Sequence, residues 1–290
     1  MFRTALRTVL AHKARLLMTV LAVMLGVAFV SGTLVFTNTV SGALENSSAR
    51  GFDHVDVAVQ PVYQEGKGDR VGTLPKLTDA TLDTALHVPG AASAIGVVEG
   101  FTAIADKHGE LIGGGFRSKG GNYWGDDDPR YPLVAGTAPH GKGQVLIDSK
   151  TAQRAGYRVG DTVRISVDGP VLTPTISGIF TTDDGNVTAG GSLALFDTAT
   201  AQQLFGKPGS YDEIDVKAKP GTGQSVLKQQ LDTALPKGLT QATTADQLAS
   251  DQARAIADSM SSLKNGLLVF AGIALFVGTF IIANTFTMLV

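Results

Sequence analysis

The chain has 290 residues, 43% hydrophobic and only 17% charged, below the ~25% usual for a soluble globular domain. Its net charge of −2 is uneven: residues 1–15 carry Arg3, Arg7, Lys13 and Arg15 and no acid, a layout that argues for membrane topology and against a nucleic-acid binder, whose positive charge would spread over a folded face. There is no cysteine, which excludes disulfides, thiolate metal sites and cysteine nucleophiles.

After the basic leader, Leu16 to Phe36 is a run of 21 residues without a charge, and the first acid is Glu45. About 20 apolar residues cross the ~30 Å hydrocarbon layer. With bases only on its amino-terminal side, residues 16–37 are expected as a first transmembrane helix. Residues 1–15 are then a cytoplasmic leader, and the chain beyond lies outside the cell membrane. A cleaved signal peptide, cut near Ser41–Ala43, is the rival reading. The run is longer than a usual signal h-region of about 7–15 residues, and glycine and serine interrupt its distal half.

Residues 38–243 are expected to form an α+β extracytoplasmic domain in two lobes, one small and β-rich around 140–200. "HVDVAV" (His54–Val59) alternates like a strand. "LTDATLDTALHVPG" (Leu77–Gly90) predicts a short helix with Thr78 as N-cap and Pro-Gly as its stop. "AIGVVEGFTAIAD" predicts one or two strands, and Gly113–Pro132 a long glycine-rich loop. "QVLID" (Gln144–Asp148) reads as a strand, followed by a brief helix capped by Ser149 and stopped by Gly156. Val159–Phe180 reads as two strands around Asp168-Gly169, a strong hairpin signal. Ser192–Gly206 predicts a strand and then a helix capped by Asp197; "YDEIDVKAKPG" predicts a strand and Thr222–Pro236 another helix.

Residues 244–266 predict a stalk helix, opened by a capping box of Thr244 and Gln247. Leu248, Ile256, Met260 and Leu263 fall near one face, and no proline interrupts it. It is expected to run directly into residues 267–290, a second transmembrane helix without a charge, and so to carry movement between the outer domain and the membrane. Small residues one turn apart, Ala22 and Gly26, Ala28 and Gly32, Ala274 and Gly278, suit close helix packing in lipid. The amide of Asn284 calls for a partner helix. No Lys or Arg follows the second span, so the sequence is expected to be the front part of a longer protein.

No residue set forms a catalytic constellation. "GTAPHGKG" (Gly136–Gly143) misses the hydroxyl of a phosphate-binding loop at its last position and precedes a strand where a helix is needed. Asp126, Asp127 and Asp128 lack the spacing of a calcium loop and read as a solvated loop; "TTDDGN" (Thr181–Asn186) reads as a turn. Trp124 and Tyr123 are expected to pin the long loop to its own domain. The sequons at Asn46 and Asn186 depend on the host. His12, His54, His87, His108 and His140 show no metal-ligand spacing, and no GxSxG elbow is present. The residues therefore point to no enzyme, no cofactor and no metal.

The order of elements resembles the FtsX-like permease subunits of bacterial ABC transporters with a MacB-like periplasmic core domain. The matching stretches are Ala5–Phe36, "GYRVGDTVRISV" (Gly156–Val167), "ALFDTATAQQLFG" with "YDEIDVKAKPG", and "FAGIALFVGTFIIANTFTMLV". In the last of these, Asn284-Thr285-Phe286 stands as in many actinobacterial members. The resemblance implies a multi-pass cell-membrane protein that pairs with a cytoplasmic ABC ATPase, works as a permease dimer in the lipid bilayer, and moves its outer helices mechanically for export, extraction or signalling. A two-span sensor or binding ectodomain without transport is the alternative.

Overall fold

The computed structural model describes residues 24, 27–37, 39, 52–64, 74–113, 118–125, 128–167, 169, 171–188 and 190–287. The chain divides into two units: Ser47–Asp251, and Met1–Asn46 together with Gln252–Val290.

In the larger unit the elements run β1 (Val57–Pro61), β2 (Leu77–Thr78), α1 (Asp79–Leu86), β3 (Ala91–Val97), β4 (Glu99–Phe101), β5 (Ala103–Ala105), β6 (Leu111–Ile112), β7 (Ser118–Tyr123), β8 (Leu133–Gly136), β9 (Gln144–Asp148) and α2 (Ser149–Ala155). Then follow β10 (Arg164–Ser166), β11 (Val171–Leu172), β12 (Thr175–Phe180), α3 (Gly185–Thr188), β13 (Ser192–Asp197), α4 (Thr198–Leu204), β14 (Ser210–Tyr211), β15 (Glu213–Ala218), α5 (Gln224–Ala234), β16 (Thr240–Thr244) and α6 (Ala245–Thr287).

The first sheet is antiparallel, in the order β16-β1-β15-β3. Val57, Val59, Ile214 and Val216 line one face and pack under α1 and α5 through Ala85, Leu227 and Leu231. The opposite face is covered at its centre as well, where Ala58 and Asp215 are buried. The second sheet is six-stranded and mixed, in the order β4-β7-β13-β9-β12-β8. Its central strands are buried on both faces. Val145 and Ile147 join one core with Ala194 and Phe196, while Leu146, Leu193 and Leu195 join another with Phe180. A third sheet, β11-β10-β5-β6, covers the first of these cores with Ile104 and Ile165.

Several expectations hold. Thr78 begins α1, with its own N–H donating to Thr81 Oγ1 at 3.2 Å. Asp197 caps α4 by accepting from the Thr200 N–H, and Gly156 ends α2 with φ of 67°. Gln247 N–H donates to Thr244 Oγ1 at 3.3 Å at the start of α6, although the Gln247 amide turns forward to Asp251.

Others need correction. Residues 91–105 form three strands, one in each large sheet, because the chain leaves the first sheet at Val98 and the second at Thr102. The expected glycine-rich loop contains β7, paired in parallel with β13 from Ser118↔Ser192 to Tyr123↔Asp197. Its glycines serve close packing: a Cβ on Gly120 would lie 2.3 Å from Thr102 Cγ2 and 2.6 Å from Phe205 Cζ. The cap of α2 is Asp148, which accepts from Thr151 N at 2.7 Å and from Leu193 N at 3.0 Å; Ser149 is the first helical residue. The hairpin at residue 169 pairs only β10 and β11; β12 belongs to the other sheet, parallel to β9. Pro174, without an N–H to donate, stands between β11 and β12. "TTDDGN" holds the start of α3, where Asp184 Oδ1 accepts from Asn186 N and Val187 N.

In the smaller unit residues 27–37 are helical; α6 begins in the larger unit and continues through Gly266 to Thr287, its 43 residues making about 65 Å at 1.5 Å per residue. Among the described residues, no helix is long and apolar enough to cross a membrane.

Gly120→Ala should lower stability by about 1–3 kcal/mol through overpacking. Gly143→Ala, where a Cβ meets nothing within 4 Å, is the control. Thermal unfolding of the two variants checks the difference.

Candidate functional site

Two joints in the larger unit tie its chain passages together. The first is where the chain passes between sheets. It leaves β3 at Val97 and enters β4 at Glu99. Asn122, buried in β7, holds this passage: its Oδ1 accepts from Val98 N at 2.9 Å, and its Nδ2 donates to Gly96 O at 2.9 Å and to Thr198 Oγ1 at 3.1 Å. The Asn122 N–H also donates to Val98 O at 3.1 Å. The return passage is tied to the same residues. Asp212 N donates to Val97 O, Asp212 Oδ2 accepts from Glu99 N at 2.8 Å, and Lys207 Nζ donates to both Glu99 O and Asp212 Oδ1. Outward and return chains are thus stitched side by side.

The loop after β7 lies against this junction. Asp128, expected in a solvated loop, is 3% exposed. Its carboxylate accepts from Trp124 N, Arg130 N, Arg130 Nε and Arg130 Nη2, the last at 2.9 Å. The Arg130 guanidinium stacks 3.3 Å from the Trp124 ring centre and 4.8 Å from that of Tyr131. Tyr131 meets Phe180 edge-on at 5.3 Å, and burial pushes its phenol up to about 12. Tyr123 is buried, so the aromatics do pin this segment to its own domain. Asp126 and Asp127 lie outside the described residues.

The second joint is the strand pair β1–β16. Val57 is the register partner of Thr244. The segment entering β1 and the helix leaving β16 therefore meet the domain at the same end of adjacent strands. Asp56 secures that end. Its carbonyl accepts from Ala245 N at 3.0 Å, and its Oδ2 accepts from Ala218 N at 2.9 Å and faces Lys217 Nζ at 3.2 Å. Gln224 and Asp246 exchange a pair of bonds at 3.3 and 3.4 Å, tying α5 to the first turn of α6.

Of the residues singled out in the stalk, Leu248 and Ile256 are half-buried, with Ala249 and Ala253 on the same stripe. The side chains of Met260, Leu263, Ala274 and Asn284 lie outside the described residues, as do Ala22 and Gly26. Ala28 and Gly32 are exposed, and a Cβ on Gly32 or Gly278 would meet nothing within 4 Å among the described residues. Among the described residues of the smaller unit the buried positions are Thr33, Thr37 and Ala271. Elsewhere, Lys107 pairs with Asp161 at 2.9 Å beside Asp106, whose carboxyl is held below its ordinary value chiefly by the backbone N–H of Glu110. Among the described residues no group of three or more His, Asp or Glu is placed to hold a metal ion.

Residues 16–234 match the family model of the MacB-like periplasmic core domain. The chain belongs to this family. An uncharacterized ABC transporter permease protein of Mycobacterium tuberculosis is 32% identical over 152 residues, 52% of this chain and 16% of that protein, so the chain spans about a sixth of the relative's length. The periplasmic region of MacB from Actinobacillus actinomycetemcomitans shares the fold, with a TM-score of 0.50 at 13% identity over 70% of this chain and 94% of that one. The extracellular domain of the noncanonic ABC-type transporter YknZ from Gram-positive bacteria gives a TM-score of 0.45 at 14% identity, covering 66% of this chain and 99% of that one. The family match and the fold shared with the MacB region bear out the expected α+β domain of MacB-like type.

Asn122, Asp128 and the buried Asp215 of β15 escaped sequence reasoning. Asn122 sits in "SKGGNY", where paired glycines in a strand signal close backbone approach. Nothing in "GDDDPR" distinguishes Asp128 from its neighbours.

Arg130→Met should destabilise the domain by about 3–5 kcal/mol, because it strands a buried carboxylate. Adding Asp128→Asn should recover much of that loss in chemical denaturation. Asn122→Ala should cost at least ~2 kcal/mol, since Val98 N–H and Gly96 C=O lose their partner.

Proposed function

We propose that the chain is the extracytoplasmic domain, with its two flanking membrane helices, of a permease subunit of an ABC transporter. The subunit works as a dimer with a separate cytoplasmic ATPase, and the chain itself performs no chemistry. The membership in the MacB-like family and the M. tuberculosis permease relative support this reading.

The observation that carries it is the register Val57↔Thr244. A domain that is moved from the membrane needs its two connections in one place, so that a displacement of either helix reaches the same strand pair. α6 leaves that pair without a break for 43 residues, and a continuous helix transmits displacement along its axis. The domain then moves for export, extraction or signalling across the cell membrane.

The surface of the smaller unit also supports membrane placement. Val27, Phe29, Val35 and Phe36 are exposed, as are Phe270, Phe276 and Phe280, while Thr33, Thr37 and Ala271 are buried. Thr37 Oγ1 donates to Thr33 O at 2.9 Å, which satisfies its hydroxyl within its own helix. Such an inside-out pattern is unfavourable in water and suits lipid, where small residues mediate helix packing. The apolar runs Leu16–Phe36 and Leu267–Val290 extend beyond the described residues, and we assign both as spans.

The absence of native cysteine makes the topology testable in intact cells. Lys142→Cys, at an exposed turn, should react with a membrane-impermeant maleimide. Ala11→Cys should react only after permeabilisation. Labelling of Ala11→Cys in intact cells would contradict the assignment. Purification of the full-length protein with an ABC ATPase separates a transporter from a free-standing sensor.

A further inference from the structure

The face of the first sheet opposite α1 and α5 carries Glu213, Asp215 and Lys217 on β15, since Ile214 and Val216 point the other way. Lys217 is taken by Asp56 at 3.2 Å. Glu213 accepts from Gln60 Nε2 on β1 at 2.5 Å. Asp215 is only 8% exposed, and its Oδ1 has no hydrogen-bond partner among the described residues. Its register partners Ala58 and Ile95 offer no donor side chain.

Two carboxyls two residues apart on one strand face, one of them buried with a bare oxygen, cannot both be ionised at low cost. Arg130 is the cation acting on Asp215 from the neighbouring loop, but its fork is committed to Asp128. Glu99 on β4 adds negative potential. Both residues belong to the junction between the sheets, and Glu213 directly follows Asp212, which ties that junction.

We propose that Glu213 and Asp215 hold a single proton between them while the junction is closed, and that parting the junction releases it. Proton binding and junction closure then favour each other. The inference rests on the domain alone and not on the transporter reading.

Burial first, and the Glu213 charge second, raise the Asp215 carboxyl well above its ordinary value. The folded chain therefore binds the proton more tightly than the unfolded chain. The associated stability is complete below about pH 4, the ordinary carboxylate range, and is lost as pH rises towards the raised value.

Thermal unfolding of the full chain in detergent between pH 5 and pH 8.5 tests this. The melting temperature of the wild type should fall as pH rises. Asp215→Asn should flatten the profile and melt about 3 °C or more above wild type at pH 8. Equal slopes for the two proteins, or a lower melting temperature for Asp215→Asn across the whole range, would overturn the proposal. Should Asp215→Asn fail to fold, infrared spectroscopy of the wild type decides. A protonated-carboxyl stretch that persists above the ordinary carboxylate range and disappears in alkali is expected, and its absence above that range would overturn the proposal.

Discussion

The pairing of β1 with β16 is the constraint on which the domain depends. It joins the first strand to the last, Val57 to Thr244, and so encloses everything between them. Its cost in loop-closure entropy is high because the two strands are far apart in sequence. It is offset by the core beneath the first sheet, where Val57, Val59 and Ala242 meet Ile214, Leu227 and Leu231. The chain that enters the domain and the helix that leaves it are held as neighbours by this ladder and by Asp56.

The remaining sheets are built as an excursion from the first. The chain departs after Val97 and returns at Asp212, and the two passages are bonded to each other through Asn122, Asp212 and Lys207. A double crossing of this kind resists shear better than a single linker, because each strand carries the other's backbone partners. It also concentrates polar groups in a narrow place. Asn122 and Asp128 are fully engaged there, whereas Asp215 keeps one oxygen bare. Buried polar groups left incomplete are unusual in a folded domain.

The elements that sequence alone revealed were those with local determinants. Asp197 and Gly156 announce helix ends by side-chain capping and positive φ, and "QVLID" and "SLALFD" are apolar because their strands are buried on both faces. What stayed hidden was set by distant residues. β7 looks like a loop because Gly120 answers to Thr102 and Phe205, and Gly121 to Val98 and Leu195, which no local pattern displays. The division of residues 91–105 among three sheets is likewise invisible without the strands that receive them. Asp215 alternates with apolar residues as a solvent-facing acid would; only the covering of that face makes it buried. The joint at Val57 and Thr244 was not legible: the helix after Thr244 shows in its capping residues, but β16 before it lacks a strong strand pattern and nothing local pairs it with β1.

The segment that enters the domain and the helix that leaves it meet at one strand pair, Val57 against Thr244. Val57 and Thr244 face each other at a position flanked by the Ala245 N–H bond to Asp56 O, the close-approach type of antiparallel pair. Val57→Cys with Thr244→Cys, in a chain without other cysteines, should form a disulfide in isolated membranes under mild oxidation. The cross-linked protein should keep its melting temperature or gain a few degrees. Failure to cross-link in the folded protein, or cross-linking only after unfolding, would contradict the account.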